Sequence, residues 1–478
     1  MKKLSRIQKT KVIENVKTTV LVLLFLVAFF LGYRIFEIYH DQTSSNNNWW
    51  GSYSPVTTGT YEDMPGQNEE DIFETLWSPE IIMTCGANGR NIVSNGTDEF
   101  KDISSAVGVL IKDAFYITDG SRISQTDDTE WKKALKSDSV YISYPAERFT
   151  VYDEALYGAS DSELSKAIKS YTNMLITFEK NDEKSATVFI PENFSEKTIK
   201  VMVQSDAAKG IRSIAEKYQK DHKPYAFAHE LNLDTQSGDK AVLDSMLLIP
   251  IEEIETDDIV VDVPKIYKAG LNFTKTTDFM AGLINIFGYN PNTVRQYVNS
   301  DDALIFVGET GSLSISPEGK IEYKALGTNE GIQLKRTGVT ELYDINKVIY
   351  EIMEEIFNLC GISMTDCDFE IKISQLPSVL EKKQEMAFDY FVDGKKIEFS
   401  NIPAVYAVVE NGVLTEIKMQ INDIEKMNTK TAAPDVFEAI DKFCKDNRDV
   451  DKINEANLVY KYMGNGAEIK AEWSIQGE

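Results

Sequence analysis

Three histidines supply all the imidazole in this 478-residue chain: His40, His222 and His229. His222 and His229 are seven apart, and Pro224 stops a helix from setting both on one face. His229-Glu230 opens like HExxH, but no second histidine follows at the required spacing. Ser237-Gly238-Asp239-Lys240 has the S-x-x-K order of penicillin-recognising enzymes, yet it sits in a polar loop and no KTG follows. Gly86 to Arg90 (GANGR) is a turn rather than a phosphate cradle, and neither a Walker A nor a G-x-G-x-x-G motif occurs. Cys85 ends an expected strand and reads as a packed thiol. Cys360 and Cys367 flank a helix-to-strand turn, where a disulfide is sterically allowed beside the ordinary alternative of free buried thiols. Cys444 falls on an expected helix. The pairs Asp257-Asp258 and Asp301-Asp302 lack EF-hand spacing and read as solvated charge. A glycosidase needs only two carboxylates at the correct separation, and no pair stands out among 76 acids. These residues point to no enzyme, no cofactor and no metal.

Composition narrows the partners. Fifty basic residues oppose 76 acidic ones, a net charge of −26, which argues against nucleic acid because phosphate neutralisation needs a basic surface. A hydrophobic content of 42% and an aromatic content of 10% exclude a wholly disordered chain.

The clearest element is an uncharged run from Thr18 to Tyr33, bracketed by Lys17 and Arg34. At ~1.5 Å per residue it spans about 24 Å, a little short of the ~30 Å hydrocarbon core. Snorkelling of Lys17 and Arg34, with Ile35 and Phe36 extending the apolar stretch, makes up the difference. A cleaved signal peptide is the competing reading, but no A-x-A site follows. Lys2, Lys3, Arg6, Lys9, Lys11 and Lys17 precede the run, opposed by Glu14 alone, so the positive-inside rule places the N-terminus in the cytoplasm. The expected location is the cell membrane: a single-pass anchor with the C-terminal bulk outside. Residues 1–40 hold seven basic and two acidic residues, so the remainder carries 43 basic and 74 acidic, a net of −31. Ala28 and Gly32 form a small-xxx-small pair that lets two membrane helices approach closely. With Val20, Leu24, Leu31 and Ile35 they make the expected partner face.

The elements beyond the anchor predict an α+β fold: a single N-terminal transmembrane helix, then a multi-domain extracytoplasmic region with antiparallel β-meanders packed on helices. Residues 41–75, rich in Ser, Thr, Asn, Gly and Pro, read as a flexible tether. An N-terminal α+β domain is expected over 76–263. PEIIMTC forms its first strand. Helices follow near Asp102 to Asp113, over Asp161 to Met174 with Asp161 or Ser162 as cap, and over Ala207 to Tyr218. WKKALKSDSVYISYP is a helix end leading into a strand, and ATVFIP and TIKVMVQ are strands. A central module covers 264–338, with a helix capped at Thr277-Asp278 and three antiparallel strands in ALIFVGETGSLSISPEGKIEYKAL, whose residues alternate with period two. A C-terminal module covers 339–478. There Asp344 caps a helix with an apolar stripe at Ile345, Val348, Ile349, Ile352, Ile356 and Leu359. Hairpins turn at Asp393-Gly394, Asn411-Gly412 and Asn465-Gly466, dipeptides suited to positive φ. Pro434 starts a helix to about Lys445.

Several stretches together resemble the YycH/YycI family of Gram-positive bacteria. They are the anchor ENVKTTVLVLLFLVAFFLGYRIF, SPEIIMTC leading to a helix, WKKALKSDSVYISYP, FVGETGSLSISPEGKIEYKA, MAFDYFVDGKKIEFSNIPAVYAVVENGVLTEIKMQ and the closing INEANLVYKY…AEWSI. The long tether and Ala471-Glu472-Trp473, where the pattern leads one to expect a proline, depart from it. The resemblance implies an accessory regulator of the WalK/WalR two-component system of cell-wall metabolism, not an enzyme. Its membrane helix and outer domains would contact the sensor histidine kinase and a sister single-pass regulator. A cell-envelope assembly factor binding wall polymer or exported proteins, and an extracytoplasmic hydrolase, are the competing expectations.

Overall fold

The computed structural model describes residues 76–478 apart from 87–88, 160, 180, 194–196, 219–223, 235–241, 273, 329, 335–340, 365, 378–382 and 401. The strand expected in PEIIMTC forms as β1 (Ile81–Cys85), and the Gly86–Gly89 turn returns the chain as β2 (Arg90–Val93). With β3 (Ile123–Thr126), β4 (Ser139–Phe149), β5 (Ser170–Phe178), β6 (Ser185–Pro191) and β7 (Thr198–Gln204) they make an antiparallel sheet in the order β2-β1-β4-β5-β6-β7-β3. Both faces are buried. Ile82, Ile142, Met174 and Val188 pack beneath α1 (Asp98–Phe115) and, later in the chain, Asp206–Tyr218. Met83, Tyr141, Leu175 and Phe189 meet Trp131 of α2 (Asp128–Ala134) on the other face.

The segment expected to be helical over Asp161–Met174 divides. After α3 (Thr150–Leu156), the Ser162 hydroxyl accepts from the Leu164 N–H at 3.2 Å and caps the short α4 (Glu163–Ala167); the chain then enters β5. A strand covered on both faces reads as a continuous apolar run, so period two is hidden, and Tyr171, Thr172, Ile176 and Thr177 favour extended backbone. The helix expected from Ala207 forms as α5 (Asp206–Tyr218).

Beyond the first sheet come β8 (Tyr225–Phe227), β9 (Val242–Leu243), β10 (Leu248–Pro250) and β11 (Glu255–Asp262), then α6 (Lys265–Gly270) and α7 (Asp278–Ile286). The Thr277 hydroxyl accepts from the Met280 N–H at 3.2 Å and donates to the Gly270 carbonyl at 2.5 Å, so the expected cap is in place. Thr277→Ala is expected to cost about 1–2 kcal/mol of stability, read as a shift of the urea midpoint at unchanged slope.

The meander forms as β12 (Arg295–Val298), β13 (Leu304–Val307), β14 (Gly311–Ile315) and β15 (Lys320–Ala325), with β12 added to the three expected strands. Next come β16 (Ile332–Gln333), α8 (Glu341–Leu359), β17 (Glu370–Gln375), β18 (Lys383–Val392), β19 (Lys395–Glu398), β20 (Val405–Glu410), β21 (Val413–Gln420) and β22 (Asp423–Ala432). The chain ends with α9 (Val436–Asp446), β23 (Lys452–Lys461), β24 (Ala467–Ile469) and β25 (Ala471–Gly477). Thirteen strands join one sheet along the path β12-β13-β14-β15-β21-β20-β18-β19-β23-β25, with β16 on β21, β17 on β18 and β9 on β23. Its core takes in Ile345, Ile349, Ile352 and Ile356 of α8, the predicted stripe, with Met353 and Phe357 added. The helix starts at Glu341, so Asp344 lies inside it rather than at its cap.

Asp393, Gly394, Asn411 and Gly412 all have positive φ, as the two hairpins require. The last hairpin differs from expectation. β23 pairs with β25, while β24, just past Asn465-Gly466, leaves to pair with β11, which also pairs with β22. The Gly466 N–H donates to the Val261 carbonyl at 2.8 Å, and this capture from a distant strand opens the local turn. The fold is thus α+β with antiparallel sheets. Among the described residues no helix is long and apolar enough to cross a membrane; the segment 18–36 lies outside them.

Candidate functional site

Among the described residues, those that drew attention in the sequence do not converge. Val20, Leu24, Ala28, Leu31, Gly32 and Ile35 lie outside the described residues, as do His40, His222 and Ser237 to Lys240. His229 Nδ1 lies 2.7 Å from the Ser245 carbonyl, and its ring stacks on Phe227; burial holds its pKa below the usual value. Cys85 is buried, its thiol pushed up to about 11 by desolvation against the opposing Arg90 charge. Cys360, Cys367 and Cys444 form no disulfide among the described residues. Among the described residues no three His, Cys, Asp or Glu side chains gather to hold a metal.

Buried charge concentrates elsewhere, where the first described residues, Leu76 to Glu80, meet both sheets. Arg148, near the end of β4, is 5% exposed and Asp153 of α3 is 1% exposed. They form an ion pair, and the Tyr171 hydroxyl donates to Asp153 Oδ2 at 2.7 Å. The guanidinium also donates to the Trp77 carbonyl at 3.3 Å and lies 4.5 Å from the Tyr144 ring centre and 5.1 Å from that of Trp77. Burial opposes its charge, but Asp153 and the surrounding hydroxyls together hold the pKa well above the ordinary arginine value. Desolvation raises Tyr144 to about 12. Such a pair is held by its partners rather than by burial, which works against it.

Two residues further along, the chain is gripped from the other sheet. Lys372 of β17 is fully buried; its ammonium donates to the Pro79 carbonyl at 2.8 Å and lies 3.1 Å from Glu370 Oε2. It rests 5.7 Å from the ring centres of Phe100, on α1, and Phe391, on β18. The Glu80 N–H donates to the Ser143 carbonyl at 2.8 Å, extending the β1–β4 ladder. Glu80 keeps some exposed surface while its carboxyl end is enclosed by packed atoms. Desolvation raises its pKa to about 7, with Lys372 opposing and Glu455 assisting. A third tie runs from the Tyr152 hydroxyl to the Pro377 carbonyl at 2.6 Å.

Cations from two sheets hold the Trp77 and Pro79 carbonyls, either side of Ser78, which fixes the position and direction of that segment. Sequence reasoning missed Arg148 and Lys372. Lys372 stands between Ile371 and Ile373, and a charged residue in that alternation ordinarily marks a solvent face. A tertiary partner, not a local pattern, makes it an inner residue.

A seven-stranded antiparallel sheet and a thirteen-stranded, largely antiparallel one, meeting across this polar seam beside two smaller sheets, define a large α+β protein. The particular fold is that of YycH. The chain is similar to the crystal structure of YycH from Bacillus subtilis with a TM-score of 0.54 and 13% sequence identity, over 85% of this chain and 95% of that one. No family model and no curated protein sequence matches. The family resemblance drawn from the sequence therefore holds at the level of the fold.

Proposed function

We propose that the protein is a membrane-anchored extracytoplasmic regulator that binds and modulates a sensor histidine kinase controlling cell-wall metabolism. The observation that carries this reading is the YycH fold extending over 85% of the chain, behind an apolar, positively flanked N-terminal run. The helix face around Ala28 and Gly32 pairs with kinase helices or with a sister single-pass protein. The outer part adds an acidic surface that meets a complementary partner. Regulation follows from binding one kinase state better than another. The seam suits this role: a firm grip on residues 77–79 fixes where the chain enters the folded part from the direction of the expected anchor.

The test is an in-cell crosslinking pull-down from native membranes, comparing the wild type with a chain whose residues 18–36 are replaced by an unrelated transmembrane helix. Recovery of a sensor kinase with the wild type, lost on the swap, is the expected result. Recovery that survives the swap moves the contact to the outer part. Recovery of wall synthases or polymer without any kinase overturns the proposal in favour of an envelope factor.

A further inference from the structure

On the large sheet a polar groove of about 590 Å³ opens where β18 changes partners, a size within the ~300–1,000 Å³ of small-molecule clefts. β18 pairs with β20 as far as Phe388–Val405 and resumes on β19 at Phe391–Lys396; Asp389 lies in the gap between. It is 1% exposed, its Oδ1 accepts from the Ala404 N–H at 2.9 Å, and its Oδ2 lies 2.6 Å from Lys396 Nζ.

What the groove leaves unused is as informative as what it uses. The Lys396 ammonium forms an ion pair with Asp389 and has further donors to offer. Glu398 lines the same groove and makes no ion pair among the described residues. Ser374, Gln375 and Ser400 also line it, and their side chains have no hydrogen bond among the described residues. At the rim Ile402 and Met463 are 48% and 76% exposed, apolar lips on a polar bowl. A buried carboxylate, a cation with spare donors, a second carboxylate and three neutral polar groups thus face one space.

We propose that this groove binds a small zwitterionic ligand, a short peptide with a free ammonium and a free carboxylate. Its carboxylate takes the spare donors of Lys396, its ammonium meets Glu398, and an apolar side chain lies between Ile402 and Met463. A bare anion would face the Asp389 and Glu398 carboxylates, and a bare cation would face Lys396 and, nearby, Lys461; only a dipolar molecule is matched to both. Lys461 is paired with Glu472 at 2.8 Å as Lys396 is with Asp389 at 2.6 Å; Lys396, the less exposed of the two at 36% against 44%, is the carboxylate partner. The floor connects to the seam, because Asp389 stands directly opposite Lys372, which holds the Pro79 carbonyl. Occupancy would therefore be felt at the segment leading to the tether. The site stands whether or not the partner is a kinase.

The experiment titrates full-length protein in lipid nanodiscs with three probes by saturation-transfer NMR: trialanine, N-acetyltrialanine and trialanine amide. Trialanine is expected to bind saturably, with each blocked form weaker by about tenfold for the loss of one charge-assisted contact. Glu398→Gln is expected to weaken trialanine and the amide while leaving the acetylated form unchanged. Because Glu398 makes no ion pair, this variant keeps the surrounding fold. Lys396→Met is expected to weaken trialanine and the acetylated form by about tenfold while leaving the amide unchanged. Absence of saturable trialanine binding up to about 10 mM overturns the site. A blocked form that binds as tightly as trialanine, or binding that neither substitution weakens, overturns the zwitterion assignment.

Discussion

Replacing Arg148 by Met is expected to lower the unfolding free energy by about 3–5 kcal/mol, because it leaves the Asp153 carboxylate buried without its ion partner. Methionine keeps most of the stem volume, so the loss reports charge rather than a cavity. The Tyr171 hydroxyl remains on Asp153 as a single donor, too little for a carboxylate at 1% exposure. The Trp77 carbonyl loses its donor, and the Tyr144 and Trp77 rings lose their cation. The check is the urea midpoint of the single variant beside the double variant Arg148→Met, Asp153→Asn. The double variant is expected to recover a large part of the loss, since no unpaired charge stays buried. A single-variant cost below about 1 kcal/mol would place the pair among solvated surface bridges and remove the argument for a firm seam.

The second large effect is a pH dependence centred on Glu80. Its pKa rises from 4.5 to about 7 because burial disfavours the carboxylate, with Lys372 compensating only in part. A group whose pKa is raised on folding contributes stability that is fully present below its unfolded value and lost as pH climbs through its folded value. The window is therefore about pH 4.5 to 7, and the loss is complete somewhat above 7. Lys372, Lys396 and Glu455 are the charged groups that face the carboxyl. Glu80→Gln, neutral throughout, is expected to match the wild type near pH 5 and to exceed it near pH 8 by on the order of 2 kcal/mol, after discounting for its partly exposed surface. Thermal denaturation of both proteins at a series of pH values gives the difference curve directly. A difference that stays flat across the window would mean that the carboxyl reaches water.

These two expectations concern residues that the primary structure does not single out. Arg148 stands in AERF beside Glu147, which looks like surface charge, and Lys372 stands in a strand whose alternation puts it on the polar face. Lys372 is held by a carbonyl nearly three hundred residues away, and Arg148 joins the Asp153 carboxylate five residues on to the Trp77 carbonyl some seventy residues back. The groove is equally hidden. Ser374, Asp389, Lys396 and Glu398 come from three strands and meet only because β18 exchanges β20 for β19. The partner face expected from Val20 to Ile35 is the reverse case, drawn from the sequence and lying outside the described residues.

The sequence by itself determined most of the local elements and the α+β character. Thr277 capped its helix, the α8 stripe from Ile345 to Leu359 turned inward, and Asp393-Gly394 and Asn411-Gly412 made their hairpins, because capping, helical period and positive φ act within a few residues. Only the tertiary structure decided what those elements joined. The meander became part of a thirteen-strand sheet when β15 met β21, the segment before Met174 turned extended when it was covered on both faces, and β24 left its hairpin for β11. Strand pairing spends the same backbone hydrogen bonds on any partner, so it leaves little local trace. The choice among partners rests on the burial and charge matching of side chains far apart in the chain.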